Sequence, residues 1–130
     1  MSHRVSRPMP CPCGVGLLLS DCCGPLLAGA AEAATAEQLM RSRYSAFAVG
    51  DAAYLLSTWA PSTRPRTIDF DAASEWTRLE IVGRTGGGPF DTDGTVEFRA
   101  HYLVRGEAGV QRENSRFVRQ DGHWVYLDSI

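Results

Sequence analysis

All four cysteines of this 130-residue chain lie near its beginning, as Cys11-Pro12-Cys13-Gly14 and the vicinal pair Cys22-Cys23, with eight residues separating Cys13 from the pair. Thiols this close need one joint explanation: a coordinated metal, disulfides, redox chemistry or a small core. A structural zinc explains the most, because four thiolates complete a closed tetrahedral site. Gly14 and Gly16 can adopt positive φ and let the backbone wrap an ion, and Pro10 and Pro12 stiffen the approach. The C-x-C and C-C spacings depart from the commoner two to four residues between ligands. A disulfide within Cys22-Cys23 would be a strained ring. Crossed disulfides suit a secreted miniprotein and a redox motif prefers C-x-x-C, so both stand as weaker alternatives.

The run Cys11-Pro12-Cys13-Gly14-Val15-Gly16-Leu17, continuing to Asp21-Cys22-Cys23-Gly24, resembles the SEC-C motif, the zinc-binding tail of the SecA translocation ATPase. The usual form reads C-P-C-G-S-G, and Val15 stands where the non-ligand Ser is common. The resemblance implies Cys11, Cys13, Cys22 and Cys23 as the ligands of one Zn2+. A catalytic zinc needs an open coordination position. Four thiolates leave none and would make His3 surplus, so the expected ion is structural.

An apolar fraction of 44% and a charged fraction of 22% are those of a soluble globular protein. Net charge is -2, and all 13 basic residues are scattered arginines, which argues against nucleic acid or an anionic membrane surface as partner. His3, Arg4 and Arg7 precede an apolar run, but Val15 to Leu19 is too short for a signal peptide and Asp21 and Pro25 interrupt it. No window is long enough to span a bilayer. A cytoplasmic protein is the expectation, which also suits thiolates held by zinc.

Two segments follow from this pattern. Residues 1–30 are read as a frayed tail, to about residue 10, and a zinc knuckle over about 11–24; residues 31–130 form an α+β domain. Leu17, Leu18, Leu19, Leu26 and Leu27 give the knuckle apolar surface, and 28–34 is a linker or short helical turn. Thr35-Ala36-Glu37-Gln38 is a capping box opening a helix that stops at Gly50. Asp51 caps a second helix that carries Tyr54, Leu55, Leu56 and Trp59 and ends at Ala60-Pro61. Pro61 to Thr67 is a loop, and Asp71 to Glu75 is read as a short third helix.

From Trp76 the hydrophobic period changes to two. Strands are expected over Thr77 to Arg84, Gly94 to Arg105, Val110 to Arg119 and His123 to Asp128. Gly86-Gly87-Gly88-Pro89, Gly106 to Gly109 and Asp121-Gly122 separate them. Helices followed by an antiparallel meander predict a curved sheet packed on helices.

This part also carries a resemblance. Arg41-Ser42-Arg43-Tyr44-Ser45-Ala46-Phe47, Asp51-Ala52-Ala53-Tyr54-Leu55, Thr58-Trp59, Ser115-Arg116-Phe117-Val118 and Gly122-His123-Trp124-Val125-Tyr126-Leu127-Asp128 resemble the YchJ-type family of bacterial proteins, which has no assigned activity. The resemblance runs from Cys11 to Asp128. It implies a fold similar to nuclear transport factor 2, a cone of antiparallel sheet closed by helices. Longer members carry a second SEC-C motif after the last strand; here none appears up to Ile130.

Such a cone can hold a ligand, but fold alone does not license activity. Candidate pocket residues are Arg41, Arg43, Tyr44, His101 and Glu113. The competing readings are a half-exposed strand position for His101 and a helix-to-sheet ion pair of Arg41 or Arg43 with Glu113 or Asp128. Trp59, Trp76 and Trp124 read as core. Glu97 and His101 lie roughly 13 Å apart on one strand face, too far to bond. No nucleophile–base motif, phosphate loop or metal-hydrolase signature appears, and no catalytic residue is assigned. The leading expectation is a protein-interaction adaptor. In the translocation ATPase the similar knuckle contacts a chaperone and the ribosome, so the implied partner class is export or folding machinery. The alternative is a small-molecule-binding or enzymatic pocket, and pairing of open sheets would give a homodimer.

Overall fold

Backbone turns at the chain start build the knuckle first. In the computed structural model, which describes residues 9–71 and 73–130, Pro10 and Leu18 form an antiparallel bridge and Cys11 N–H donates to Leu17 O at 2.9 Å. Gly14 and Gly16 take φ of 80° and 99°, the left-handed region the tight return requires. A 3-10 turn at Leu19–Asp21 leads into the short helix Gly24–Leu27 (α1). The regular turn thus comes directly after Cys23 and before the 28–34 segment where it was expected. Residues 1–8, which hold most of the expected tail together with His3, Arg4 and Arg7, lie outside the described residues.

Thr35 Oγ1 accepts from the Gln38 N–H at 3.1 Å, and the Gln38 side chain accepts from the Ala34 N–H at 2.7 Å. These bonds satisfy amides the first turn would leave orphaned. They open the helix Ala36–Val49 (α2), which Gly50 terminates at φ 78°. Asp51 accepts from the Tyr54 N–H and starts the helix Ala52–Ser57 (α3). That helix stops two residues short of Trp59, where the backbone turns to pair with the last strand: Thr58 O accepts from the Tyr126 N–H and the Ala60 N–H donates to Tyr126 O, both at 2.8 Å. Trp59 instead forms a parallel bridge with Tyr126.

Four strands follow, Ser74–Gly86 (β1), Asp93–Val104 (β2), Glu107–Gln120 (β3) and His123–Ser129 (β4), in one antiparallel sheet ordered β1-β2-β3-β4. The third helix expected at Asp71 to Glu75 is not there. Asp71 accepts from the Ala73 N–H and the Ser74 hydroxyl, and this side-chain turn feeds the chain straight into β1. The β2–β3 turn is confined to Arg105 and Gly106, so β3 begins three residues earlier than its apolar pattern suggested. Register shifts at Trp76/Arg78, Ile81/Gly83 and Arg116/Phe117 bend the sheet.

The concave face meets α2. Leu39, Met40 and Tyr44 of the helix pack with Leu79, Val96, Phe98, Ala100, Phe117 and Trp124 of the sheet. Burying each large apolar side chain contributes about 1.5–3 kcal/mol. Two glycines allow the close approach at one end. A Cβ on Gly94 would lie 2.5 Å from Gly87 Cα, and Gly87 O accepts from the Ala36 N–H at the start of α2. Among the described residues no helix is long and apolar enough to cross a membrane.

Candidate metal centre and the cavity under the long helix

The turns around Gly14 and Gly16 fold Cys11 and Cys13 back onto Cys22 and Cys23, so that all four sulfurs lie within 4.8 Å of one another. Cys13 Sγ is 3.5 Å from Cys22 Sγ, and Cys22 Sγ is 3.9 Å from Cys23 Sγ. Ideal tetrahedral coordination at a Zn–S length of about 2.3 Å places sulfurs about 3.8 Å apart. The cluster therefore has the dimensions of a closed tetrathiolate site. All four are free thiols, and Cys11, Cys13 and Cys23 are buried.

Crowding makes the thiols compete for protons. Hydrogen bonding from the Cys23 thiol, with smaller contributions from its neighbours, lowers Cys13 to about 5 against the opposing effect of burial. Burial, reinforced by the other sulfurs, pushes Cys22 up to about 12, and Cys23 is pushed upward by donating to Cys13. Four neighbouring thiolates repel one another, and a divalent cation at their centre reverses that balance.

The knuckle is fastened to α2. Arg41 donates to Cys13 O at 3.0 Å while its Nε bonds Glu37, and the Cys11 thiol lies 3.5 Å from Ser45 Oγ. The Ser45 contact gave no sequence signal beyond a small residue on the buried side of the helix. Toward solvent the knuckle exposes Met9, Val15 (48% exposed), Leu17 (49%) and Leu18 (39%).

A second site lies between α2 and the concave sheet face, a cavity of about 190 Å3 lined by aromatic and aliphatic side chains with Arg43, Tyr44 and Glu113. Three of the five candidate pocket residues come together there. Arg41 does not line it, because it is turned to the knuckle. Nor does His101, which faces the opposite side of the sheet and bonds Glu80 at 2.5 Å and Arg78 at 3.3 Å across β1.

Arg43 lines the cavity as the pocket reading expected, but it is held by neutral partners. It is 4% exposed, with its guanidinium 5.0 Å from the Trp59 ring centre and 4.8 Å from that of Tyr126. One nitrogen donates to Leu55 O at 2.8 Å and to Thr58 Oγ1 at 2.7 Å. Burial lowers its pKa to about 10. The expected ion pair with Glu113 or Asp128 does not form: Asp128 binds Arg116 with both oxygens. Glu113 accepts from the Ser115 hydroxyl at 2.5 Å and the Tyr126 hydroxyl at 3.5 Å. Trp124 is core as expected, whereas Trp59 and Trp76 are half-buried and line the cavity.

A four-cysteine knuckle fixed to one face of a helix-on-sheet cone defines the class: a SEC-C motif joined to a nuclear-transport-factor-2-like domain. A family profile described as the middle NTF2-like domain of YchJ matches residues 35–129. The chain belongs to this YchJ-type family, the UPF0225 proteins. A UPF0225 protein of Streptomyces avermitilis is 54% identical over 129 residues, spanning 98% of this chain and 89% of its own length. One from Streptomyces coelicolor is 55% identical over 119 residues, spanning 92% and 93%. Among solved structures, the solution structure of a SEC-C motif-containing protein from Rhodopseudomonas palustris superposes with a TM-score of 0.80 at 36% identity, covering 94% of this chain and 98% of that one. The crystal structure of a SEC-C motif-containing protein from Psychrobacter arcticus gives 0.75 at 30%, covering 91% and 80%.

Proposed function

We propose that this chain is a cytoplasmic, zinc-stabilised protein-interaction adaptor. In this reading residues 1–30 form the interaction unit and residues 31–130 the domain that carries it. One Zn2+ would be held by Cys11, Cys13, Cys22 and Cys23. Thiolate donors suit zinc, and a closed set of four gives it a structural role. The observation that carries the proposal is the two-sidedness of the knuckle. Its inner side meets α2, with Cys11 Sγ against Ser45 and the Cys13 carbonyl held by Arg41, while Val15, Leu17 and Leu18 turn outward. Apolar side chains held rigidly in solvent lose little conformational freedom on docking. The partner class supported by analogy with the translocation ATPase is a component of the export or folding machinery, met through an apolar protein surface.

The test compares wild type with Leu17→Asp/Leu18→Asp and with Cys22→Ser in crosslinking within cells. The Asp variant is expected to keep its metal and melting temperature but lose the partner. The Cys variant is expected to lose both metal and partner. Recovery of the same partner by both variants would contradict the adaptor role.

A further inference from the structure

The cavity under α2 contains opposite charges that do not neutralise each other directly. Arg43 is almost fully buried, yet no carboxylate among the described residues forms an ion pair with it. Its partners are two neutral oxygens and two aromatic faces. Glu113, on the sheet wall, is met only by hydroxyl donors from Ser115 and Tyr126. Buried charges are ordinarily paired, and leaving one unpaired is costly.

Two further donors belong to residues that line the same cavity and have no acceptor among the described residues. The Tyr44 hydroxyl, on a residue 3% exposed, and the Trp59 indole N–H are both buried without a hydrogen-bond partner. Most buried polar side-chain atoms are satisfied, so two orphaned donors in one cavity point to an absent acceptor. Phe47, Trp76 and Phe98 give the wall an apolar stretch, and Gln111 and Ser115 add neutral polar groups beside Glu113. At about 190 Å3 the space is smaller than the roughly 300–1,000 Å3 of drug-sized pockets, which restricts it to a small metabolite.

We propose that this cavity binds a small amino-acid-like zwitterion, its carboxylate toward Arg43 and the orphaned donors, its ammonium toward Glu113, and its apolar body against the aromatic wall. A simple carboxylate would satisfy Arg43 but meet the charge of Glu113. A simple amine would satisfy Glu113 but meet Arg43. Only a ligand carrying both charges, spaced as the cavity spaces their partners, is favoured at each end.

The test uses three probes that share the leucine side chain: L-leucine, 4-methylpentanoate, which lacks the amino group, and 3-methylbutylamine, which lacks the carboxylate. Each is titrated into the metal-loaded full chain while the indole N–H resonances of Trp59 and Trp76 are followed. L-Leucine is expected to give saturable shifts at least tenfold tighter than either analogue. Glu113→Gln, which keeps an acceptor for Ser115 and Tyr126 but removes the charge, is expected to bring 4-methylpentanoate level with L-leucine or beyond it. No saturable shift with any probe would overturn the proposal. So would tighter binding of an analogue by wild type, or an unchanged ranking in the folded Glu113→Gln chain. Because the knuckle residues are untouched, a failure here leaves the adaptor reading standing.

Discussion

The guanidinium of Arg41, half-buried on the knuckle side of α2, donates to the carbonyl oxygen of Cys13, 28 positions earlier and 3.0 Å away. The same side chain bonds Glu37 one turn back. The backbone of a cysteine in the four-thiol cluster is thereby fixed to the helix that also forms one wall of the cavity. Arg41→Ala is expected to lower stability by about 1–2 kcal/mol, since hydrogen bonds to charged donors contribute about 1.5–3 kcal/mol. It is also expected to speed metal transfer to a chelator. Urea melts and chelator kinetics read the two effects separately; an unchanged transfer rate would detach Arg41 from the metal site.

Glu37 gives the fold an acid-sensitive tie. Burial raises its pKa, but hydrogen bonds and charge from Arg41 and Arg84 outweigh that effect and hold it below the ordinary carboxylate value. A carboxylate with a depressed folded pKa contributes stability that is complete above its unfolded value, near pH 4.5, and is lost as pH falls through the folded value. Glu37→Gln should therefore be less stable than wild type near neutrality and show a shallower decline below pH 4.5. Parallel melting curves at every pH would contradict this.

Arg43 is predicted to resist even the Lys substitution. An ammonium cannot keep the Leu55 and Thr58 acceptors while stacking flat between Trp59 and Tyr126. Arg43→Ala should cost about 3 kcal/mol, the range for breaking a buried polar network, and Arg43→Lys at least about 1 kcal/mol. Equilibrium unfolding of the two variants checks this, and a neutral Arg43→Lys would count against it.

Gly94 should be irreplaceable for steric reasons. The Cβ of an alanine there would lie 2.5 Å from both Gly87 Cα and Gly87 N, which are backbone atoms with no side chain to move aside. Overpacking of this kind costs about 1–3 kcal/mol. Gly83, by contrast, faces open space within 4 Å of its Cβ position. Gly83→Ala is expected to change the melting temperature far less than Gly94→Ala.

Much of this architecture was legible before the structure because its signals are local. Thr35 and Gln38, Asp51 and the Asp121-Gly122 turn declare element ends through their own side-chain chemistry. The alternation of Val96, Phe98 and Ala100 declares the concave face. Four cysteines near one another in sequence had little choice but to be near one another in space. The misreadings arose where distant segments decide. Arg43 is buried only because Trp59 and Tyr126 arrive from two other elements. His101 finds Glu80 through the β1–β2 register, which its own strand does not encode. Asp71 looked like a helix start because a side-chain turn and an N-cap use the same residue type.

The four-cysteine knuckle is the centre of the account, and whether it holds a metal is the most direct thing to measure. Native mass spectrometry of chain purified without added metal or chelator should show one Zn2+ per chain, lost on acidification as the thiolates protonate. Thiol labelling should then count four free cysteines. Metal-free protein in which Cys11, Cys13, Cys22 and Cys23 are joined in disulfides would contradict the account and return the cluster to redox chemistry.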